Sequence, residues 1–338
     1  MKILYASSSI GLGHITRDYH ISSFIKNQIY WLTSGNALRF IKEKKERYVG
    51  ISDDLKNLGD YINSMIKNCK VKIDTYNSYK LYKAVKNNAN LIKSNVDFDD
   101  YDLIVADEFW EFMFIDIPKE RSIFITDFTK ISYNGKGYLE RFLFSRLNNG
   151  LRDRIKQKFS LAINLSLWDK DDGFLNLGPS FTSSFDGYSN SQGDYVLINI
   201  GGTNAGIDVA EKIKEKIKEK YDVKIIGSDK YFNSNPSSLI KNAGIIISLA
   251  GYGSIIESNV LRKKTIFLFI DNHFEHIENA KVMMNRKGFR VYSCKDLLKT
   301  DILNVIENLK NEDIEPLEII DSAPKISEII NNFLYKNN

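Results

Sequence analysis

Residues 195–226 read YVLINIGGTNAGIDVAEKIKEKIKEKYDVKII. The run 195–200 is apolar and rich in β-branched residues, 201–206 is a glycine-bearing polar turn, 207–221 carries apolar residues at helical spacing, and 223–226 is apolar again. Strand, loop, helix and strand in that order make the repeating unit of a parallel sheet with helices on both faces. The alternation continues downstream. Apolar runs at 244–248, 265–270 and 290–292 are interleaved with helical stretches that start at Ser254, His276, Asp301 and Lys325.

Upstream, the same plan has already run once. Residues 2–7 read as a buried strand, 8–14 as a polar loop, 15–26 as a helix and 29–32 as a second strand; 37–94 is a long, mostly polar helical region without clear boundaries. Strands at 102–106 and 122–126 flank a short aromatic helix from Glu108. A helix at 138–159 is expected to turn Leu139, Phe142, Leu143, Leu147, Leu151 and Ile155 to a core and its basic side to solvent, with membrane or acceptor contact as the alternative. Strands at 161–165 and 174–177 precede Gly178-Pro179 and a Ser-, Gly-, Asn- and Asp-rich segment without periodicity. The expected fold is therefore α/β, with two doubly wound, Rossmann-like domains at 1–178 and 194–338 joined by a linker at 179–193. A chain of 338 residues exceeds what one core usually holds, which agrees with two.

Composition removes several function classes. Hydrophobic content of 43% and charged content of 27% exclude a disordered chain. Cys69 and Cys294 match no zinc or redox spacing, so neither a disulfide framework nor a metal site is expected, and a reducing cytoplasm fits. The opening residues meet Gly and His before a signal-peptide core could form. The longest apolar stretch, 243–256, is too short to span a bilayer, which limits membrane contact to peripheral attachment at the inner face. A net charge of +4 permits an anionic partner but lacks the dense basic face of a nucleic-acid binder.

In doubly wound sheets, ligands bind beyond the carboxyl ends of the strands, so the loops after strands are the candidate sites. Gly201, Gly202, Thr203 and Asn204 follow the opening strand of the second half, where free helix-start amides can hold a phosphate; a tight turn without ligand fits the same residues. Gly251, Gly253 and Ser254 repeat that arrangement, with Ser254 as a candidate helix cap and Glu257 one turn on, able to accept from both hydroxyls of a ribose or simply to complement the helix dipole. Residues 271–280 form a dense polar cluster suited to reading sugar hydroxyls, with Glu275, His276 and Asn279 at its centre. His273 and His276 are three apart and lack an obvious third ligand, so no metal is assigned there. In the first half, Gly11 and Gly13 precede His14 at a helix start, where the terminus favours the neutral, proton-accepting imidazole; a structural role is the alternative.

Taken together these loops resemble the GT-B glycosyltransferases, in particular the family 28 branch. Gly11-Leu12-Gly13-His14 is similar to the N-terminal Gly-x-Gly-His loop, Gly201-Gly202-Thr203 to the diphosphate turn, and 250–257 to the helix start that ends in a ribose-binding glutamate. Glu275, His276, Asn279 and Ala280 stand where the family has paired glutamines followed by Asn-Ala, which contact the donor sugar. The resemblance implies two domains facing across a cleft and transfer of a sugar from a nucleotide-diphosphate sugar, a UDP-sugar by preference, to an acceptor hydroxyl. It further implies inversion, metal independence and no cofactor. On this reading His14 would deprotonate the acceptor, and Asp107 and Asp127, each just after a strand of the first half, are candidates to orient it or to serve as base, with loop capping as the equal alternative. The acceptor could be a lipid, a glycan or a protein. A nucleotide-sugar hydrolase, a non-hydrolysing epimerase and a noncatalytic sugar-nucleotide sensor remain open alternatives.

Overall fold

A computed structural model describes every residue except 68, 73, 133–137, 172, 182–192, 202–203, 229, 232, 234–235 and 337–338. Most of the expected linker, and Gly202 and Thr203 of the expected diphosphate turn, thus lie outside the described residues. The chain forms two compact units, the first from residues 1–62, 73–181 and 320–338, the second from 63–72 and 182–319.

The first unit contains β1 (Lys2–Ser7), α1 (Gly13–Ser22), β2 (Gln28–Leu32), α2 (Gly35–Glu43), most of α3 (Leu58–Met65), α4 (Thr75–Asn95), β5 (Leu103–Asp107), β6 (Ser122–Thr126), α5 (Tyr138–Lys158), β7 (Leu161–Asn164) and β8 (Leu175–Asn176). Its sheet runs β2-β1-β5-β6-β7-β8 with every pair parallel. KILYAS, LIVAD and SIFIT are almost wholly buried, as strands covered on both faces require. The helix expected from Glu108 is a 3₁₀ turn at Trp110–Phe114. On α5 only part of the expected apolar face is covered: Ile155 is buried and Leu151 packs on the core, but Phe142 and Leu147 are 50% and 53% exposed. The apolar positions span more of the circumference than one face can bury, and Arg146 lies over the Phe142 ring.

The second unit contains a hairpin of β3 (Ile66–Lys67) and β4 (Lys70–Val71), then β9 (Tyr195–Asn199), α6 (Ile207–Ile217), β10 (Asp222–Ile226), α7 (Pro236–Asn242), β11 (Ile245–Leu249), α8 (Tyr252–Val260), β12 (Thr265–Phe269), α9 (Phe274–Met283), β13 (Phe289–Ser293), α10 (Cys294–Lys299) and α11 (Ile302–Lys310). Its sheet, also all parallel, runs β10-β9-β11-β12-β13.

The units differ from the expected division in two places. Helix α12 (Ala323–Lys336) belongs to the first unit and not to the second. Its apolar stripe Ala323, Ile326, Ile330 and Leu334 is buried, α12 packs on α1, and Ser327 Oγ donates to Ile21 O at 2.6 Å. His20 Nε2 meets Asp321 Oδ2 at 2.7 Å just before the helix. Conversely, residues 63–72 leave the first unit, because the hairpin's backbone bonds to Asp271: Val71 N donates to Asp271 O at 2.8 Å and Asp271 N to Cys69 O at 2.9 Å.

Candidate active site

In each sheet the strand order reverses beside the first strand, between β1 and β5 and between β9 and β11. Loops leaving such neighbouring strands in opposite directions open a crevice at the carboxyl edge, and both candidate centres stand there.

At the first of these points, Gly11 takes a left-handed φ of 78° that lets the chain turn from β1 into α1, and His14 is the second residue of that helix. Asp107 ends β5 and Asp127 follows β6. Arg17, one turn beyond His14, ties them together. Its Nε and Nη2 donate to Asp107 Oδ2 and Oδ1 at 2.7 and 2.5 Å, and its Nη1 to Asp127 Oδ2 at 2.6 Å. Both carboxyls and the guanidinium are at least nine-tenths buried, so these are strong, desolvated, charge-assisted bonds. His14 Nδ1 lies 3.4 Å from Asp107 Oδ1 and 2.9 Å from Arg17 Nη2. The two neighbours compete for one nitrogen, since Arg17 can donate to it only when it carries no proton, whereas Asp107 needs the proton there.

Two further acids complete the cluster. Glu108, at a left-handed φ of 44°, accepts at Oε1 from Thr126 Oγ1 (2.8 Å) and Asp127 N (2.9 Å), and its Oε2 stands 3.9 Å from His14 Nε2. Asp18 accepts from Ser7 Oγ at 2.5 Å and from Tyr5 Oη at 3.1 Å. Burial and Asp127 push the Glu108 carboxyl well above its usual value, and burial and Asp107 do the same to Asp18, so at both the neutral acid is favoured over the carboxylate relative to water. Burial would also raise Asp107, but Arg17 and His14 overcome it and hold that carboxyl below its usual range. For His14 burial disfavours the cation, as does Arg17, yet the Asp107 carboxylate outweighs both and brings the imidazole up to about 9. Charge balance makes this reasonable: Arg17 offsets one of the Asp107 and Asp127 charges, and a protonated His14 offsets the other. The expected neutral His14 is thus not the resting form, because Asp107 outweighs the helix start.

Sequence reasoning singled out His14, Asp107 and Asp127 but missed Arg17, Glu108 and Asp18. The signal for Arg17 was available, since position i+3 on a helix shares the face of His14. His14, Glu108 and Asp127 also place ligand-type atoms within 4.8 Å of one another, the one such grouping among the described residues.

At the second of these points, Gly201 follows β9 with a φ of 69°, and Asn204 opens the short turn before α6. Helix α8 begins at Tyr252 with Gly251 as its cap. Ser254 is therefore inside the first turn and does not cap the helix, as the sequence suggested it could. A side chain built on Gly251 or Gly253 would meet nothing within 4 Å, so the helix start is open. Among the described residues no acceptor reaches the amides of Gly253 and Ser254, which belong to the N–H groups a helix cannot satisfy itself. Glu257, one turn on, has its carboxyl raised to about 7 by burial alone.

The α9 loop leans on this helix start. Glu275 Oε1 accepts from Tyr252 N and from Asn279 Nδ2, both at 3.4 Å, and Asn279 Nδ2 also reaches Ala250 O at 3.3 Å. Asn279 is 1% exposed, so it fastens the loop from within. The His273 and His276 rings stack at 3.8 Å, and among the described residues His276 Nδ1 is enclosed without a partner. Burial lowers His273 to about 4, and burial with the neighbouring His273 holds His276 well below an ordinary imidazole, which makes both rings neutral at physiological pH.

Residues 195–331 match the model of the glycosyltransferase family 28 C-terminal domain. No curated protein matches the chain in sequence. In fold it is similar to the glycotransferase of kitacinnamycin (11% identity, 99% of this chain and 95% of that one, TM-score 0.56). The same holds for MurG of Acinetobacter baumannii (11% identity, 98% and 99%, TM-score 0.51) and for CalG4, the calicheamicin glycosyltransferase (12% identity, 99% and 94%, TM-score 0.54). Identities at this level speak to fold alone. With the family match falling on the sheet that bears the second centre, the chain has the GT-B fold, and its residues 195–331 carry a glycosyltransferase family 28 C-terminal domain.

Proposed function

We propose that the enzyme moves a sugar from a nucleotide-diphosphate sugar, by preference a UDP-sugar, to an acceptor hydroxyl with inversion and without a metal ion. The observation that carries the reading is the contact of His14 with Asp107 at the β1/β5 reversal. In the reactive form His14 carries its proton on Nδ1 toward Asp107 and leaves Nε2 to take the acceptor proton. The acceptor oxygen then bonds to the anomeric carbon as the opposite bond, to the diphosphate oxygen, breaks. Asp107, engaged at both oxygens, positions and stabilises the imidazolium that forms and is unsuited to be the base.

On the donor side, the amides of Gly253 and Ser254 and the turn at Gly201 would receive the diphosphate charge, the role a metal plays elsewhere. Glu257 would accept from ribose hydroxyls, while Glu275, His276 and Asn279 would border the sugar, Asn279 from behind. Arg17 supports metal independence, because it already binds Asp127 where a cation would sit among His14, Glu108 and Asp127. An attachment of the protein at the cytoplasmic membrane face belongs to the same proposal if the acceptor is a lipid.

The test is a thermal-shift screen of UDP-, GDP- and dTDP-sugars followed by turnover with candidate acceptors for wild type and His14→Gln. The variant should retain the donor-induced shift and lose roughly 10²- to 10⁴-fold in turnover. Turnover within a few-fold of wild type removes His14 as base; sugar released as readily without acceptor indicates a hydrolase. If no sugar nucleotide shifts the melting, the donor assignment fails.

A further inference from the structure

The spacing of Cys69 and Cys294 in the sequence excludes a redox motif, but the fold brings the two together. Cys69 sits at the turn of the β3–β4 hairpin, between Lys67 and Lys70, which pair across it. Its backbone is left-handed, with φ 60°, a conformation a β-carbon disfavours. The hairpin is bonded to the second unit through the backbone of Cys69 and Val71 with Asp271 and through Asn272 Nδ2 reaching Val71 O at 3.4 Å, and Ile66, Cys69 and Val71 pack on that unit's core. Cys294 opens α10, is 1% exposed and belongs to the unit's core; the half-buried Cys69 packs against that same core. Both thiols are free, and Asp271 joins their surroundings: its N–H donates to Cys69 O at 2.9 Å and its Oδ2 meets Nζ of Lys295, the residue after Cys294, at 2.9 Å. The Cys294 thiol, then Lys295 and Lys212, lower Cys69 to about 7, while Cys69 and burial push Cys294 up, so the half-buried sulfur is the readier thiolate and the buried one the readier thiol.

We propose that Cys69 and Cys294 form a peroxide-reactive pair, Cys69 attacking and Cys294 resolving, which closes a disulfide stapling the hairpin to α10. The Cys69 thiolate attacks a peroxide oxygen, the O–O bond breaks, and the departing hydroxide takes a proton to become water. The Cys294 sulfur then attacks the resulting sulfenic acid, the S–O bond breaks, and the second hydroxide leaves as water with the Cys294 proton. Two thiols are oxidised and one hydrogen peroxide is reduced. This goes beyond glycosyl transfer and does not depend on it. The staple lies beside Asp271 to His273, the residues that lead into α9, so oxidation ties the chain ahead of that helix to a fixed point.

The experiment uses the full chain, reduced, freed of reductant and treated with hydrogen peroxide before thiol blocking. Peptide mapping should find an intramolecular Cys69–Cys294 disulfide with a loss of about 2 Da, reversed by dithiothreitol. Trypsin should cut after Lys67 or Lys70 at least about tenfold more slowly in the oxidised protein. In Cys294→Ser a dimedone adduct should form at Cys69, and in Cys69→Ser the remaining Cys294 should stay unmodified at the same dose. The proposal is overturned if wild type keeps both thiols at peroxide levels that oxidise glutathione, or if the disulfide joins two chains. It is equally overturned if Cys294 reacts in Cys69→Ser as fast as Cys69 does in Cys294→Ser.

Discussion

Replacing Asp107 by Asn keeps the shape of the side chain but removes the charge that holds His14 protonated. In the wild type, Asp107 Oδ1 lies 3.4 Å from His14 Nδ1 and lifts the imidazole from 6.5 to about 9 against burial and Arg17, both of which lower it. Without the carboxylate only the lowering influences remain beside Glu108, so the ring should titrate at or below about 6.5. The difference corresponds to roughly 3 kcal/mol. Because the folded value is the raised one, that stabilisation is complete below pH 6.5 and disappears as pH rises through about 9. The wild type should therefore lose stability between pH 6.5 and 9, and Asp107→Asn should lack that slope. The direct assay is an NMR titration of the imidazole carbons; the chain has four histidines, and His14→Gln assigns the signal. A wild-type His14 that titrates near 6.5, or an unchanged value in Asp107→Asn, refutes the electrostatic account of the site.

At pH 7 only about one His14 in a hundred is neutral, so kcat/KM should climb nearly tenfold per unit up to about pH 9, and a profile flat above pH 7 contradicts His14 as base. Glu257→Gln should weaken nucleotide-sugar binding by about tenfold or more, and wild-type affinity should rise as pH passes through about 7, where the carboxylate forms; equal calorimetric affinities for both proteins reject the ribose assignment. Glu108→Gln, which preserves an acceptor for Thr126 and Asp127 N, should melt within about 1 kcal/mol of wild type, whereas Glu108→Ala should cost about 1–3 kcal/mol; the reverse order in denaturant melts would show that Glu108 is ionised. Truncation after Ile319 removes the buried Ile326, Ile330 and Leu334 and should destabilise the first unit by on the order of 5 kcal/mol; an unchanged first-unit melting transition would show that α12 contributes nothing there.

The strands were plain in the sequence because each is short, apolar and bounded by polar turns. The prediction of 122–126 coincides with β6, and those of 195–200 and 265–270 overshoot β9 and β12 by one residue. Helix starts drifted further: Tyr252 precedes the expected Ser254 because Gly251, which has no side chain to mark it in the sequence as a cap, is the N-cap of α8. The span 37–94 hid α2, the hairpin and α4, since a two-residue strand such as Lys70–Val71 has no periodicity to detect. Position in the fold drew attention to His14 and Asp107, yet their protonation could not be read. It depends on Arg17, Glu108 and Asp18 meeting in one buried volume, and distance along the chain conceals that just as it conceals the neighbouring thiols of Cys69 and Cys294.

The return of α12 to the first unit has a consequence for biosynthesis. Because residues 182–319 are inserted between parts of one unit, that unit cannot be completed until residues 320–338 have left the ribosome. While the insert is unfolded, joining α12 to α1 must close a loop of that length, an entropic cost of roughly 4 kcal/mol that vanishes once the insert has compacted. Residues 63–72 impose the reverse dependence, since a segment synthesised early waits for Asp271 before it finds its backbone partners. Nascent chains stalled before residue 320 should accordingly be open to proteolysis around α1 even when the second unit has already folded.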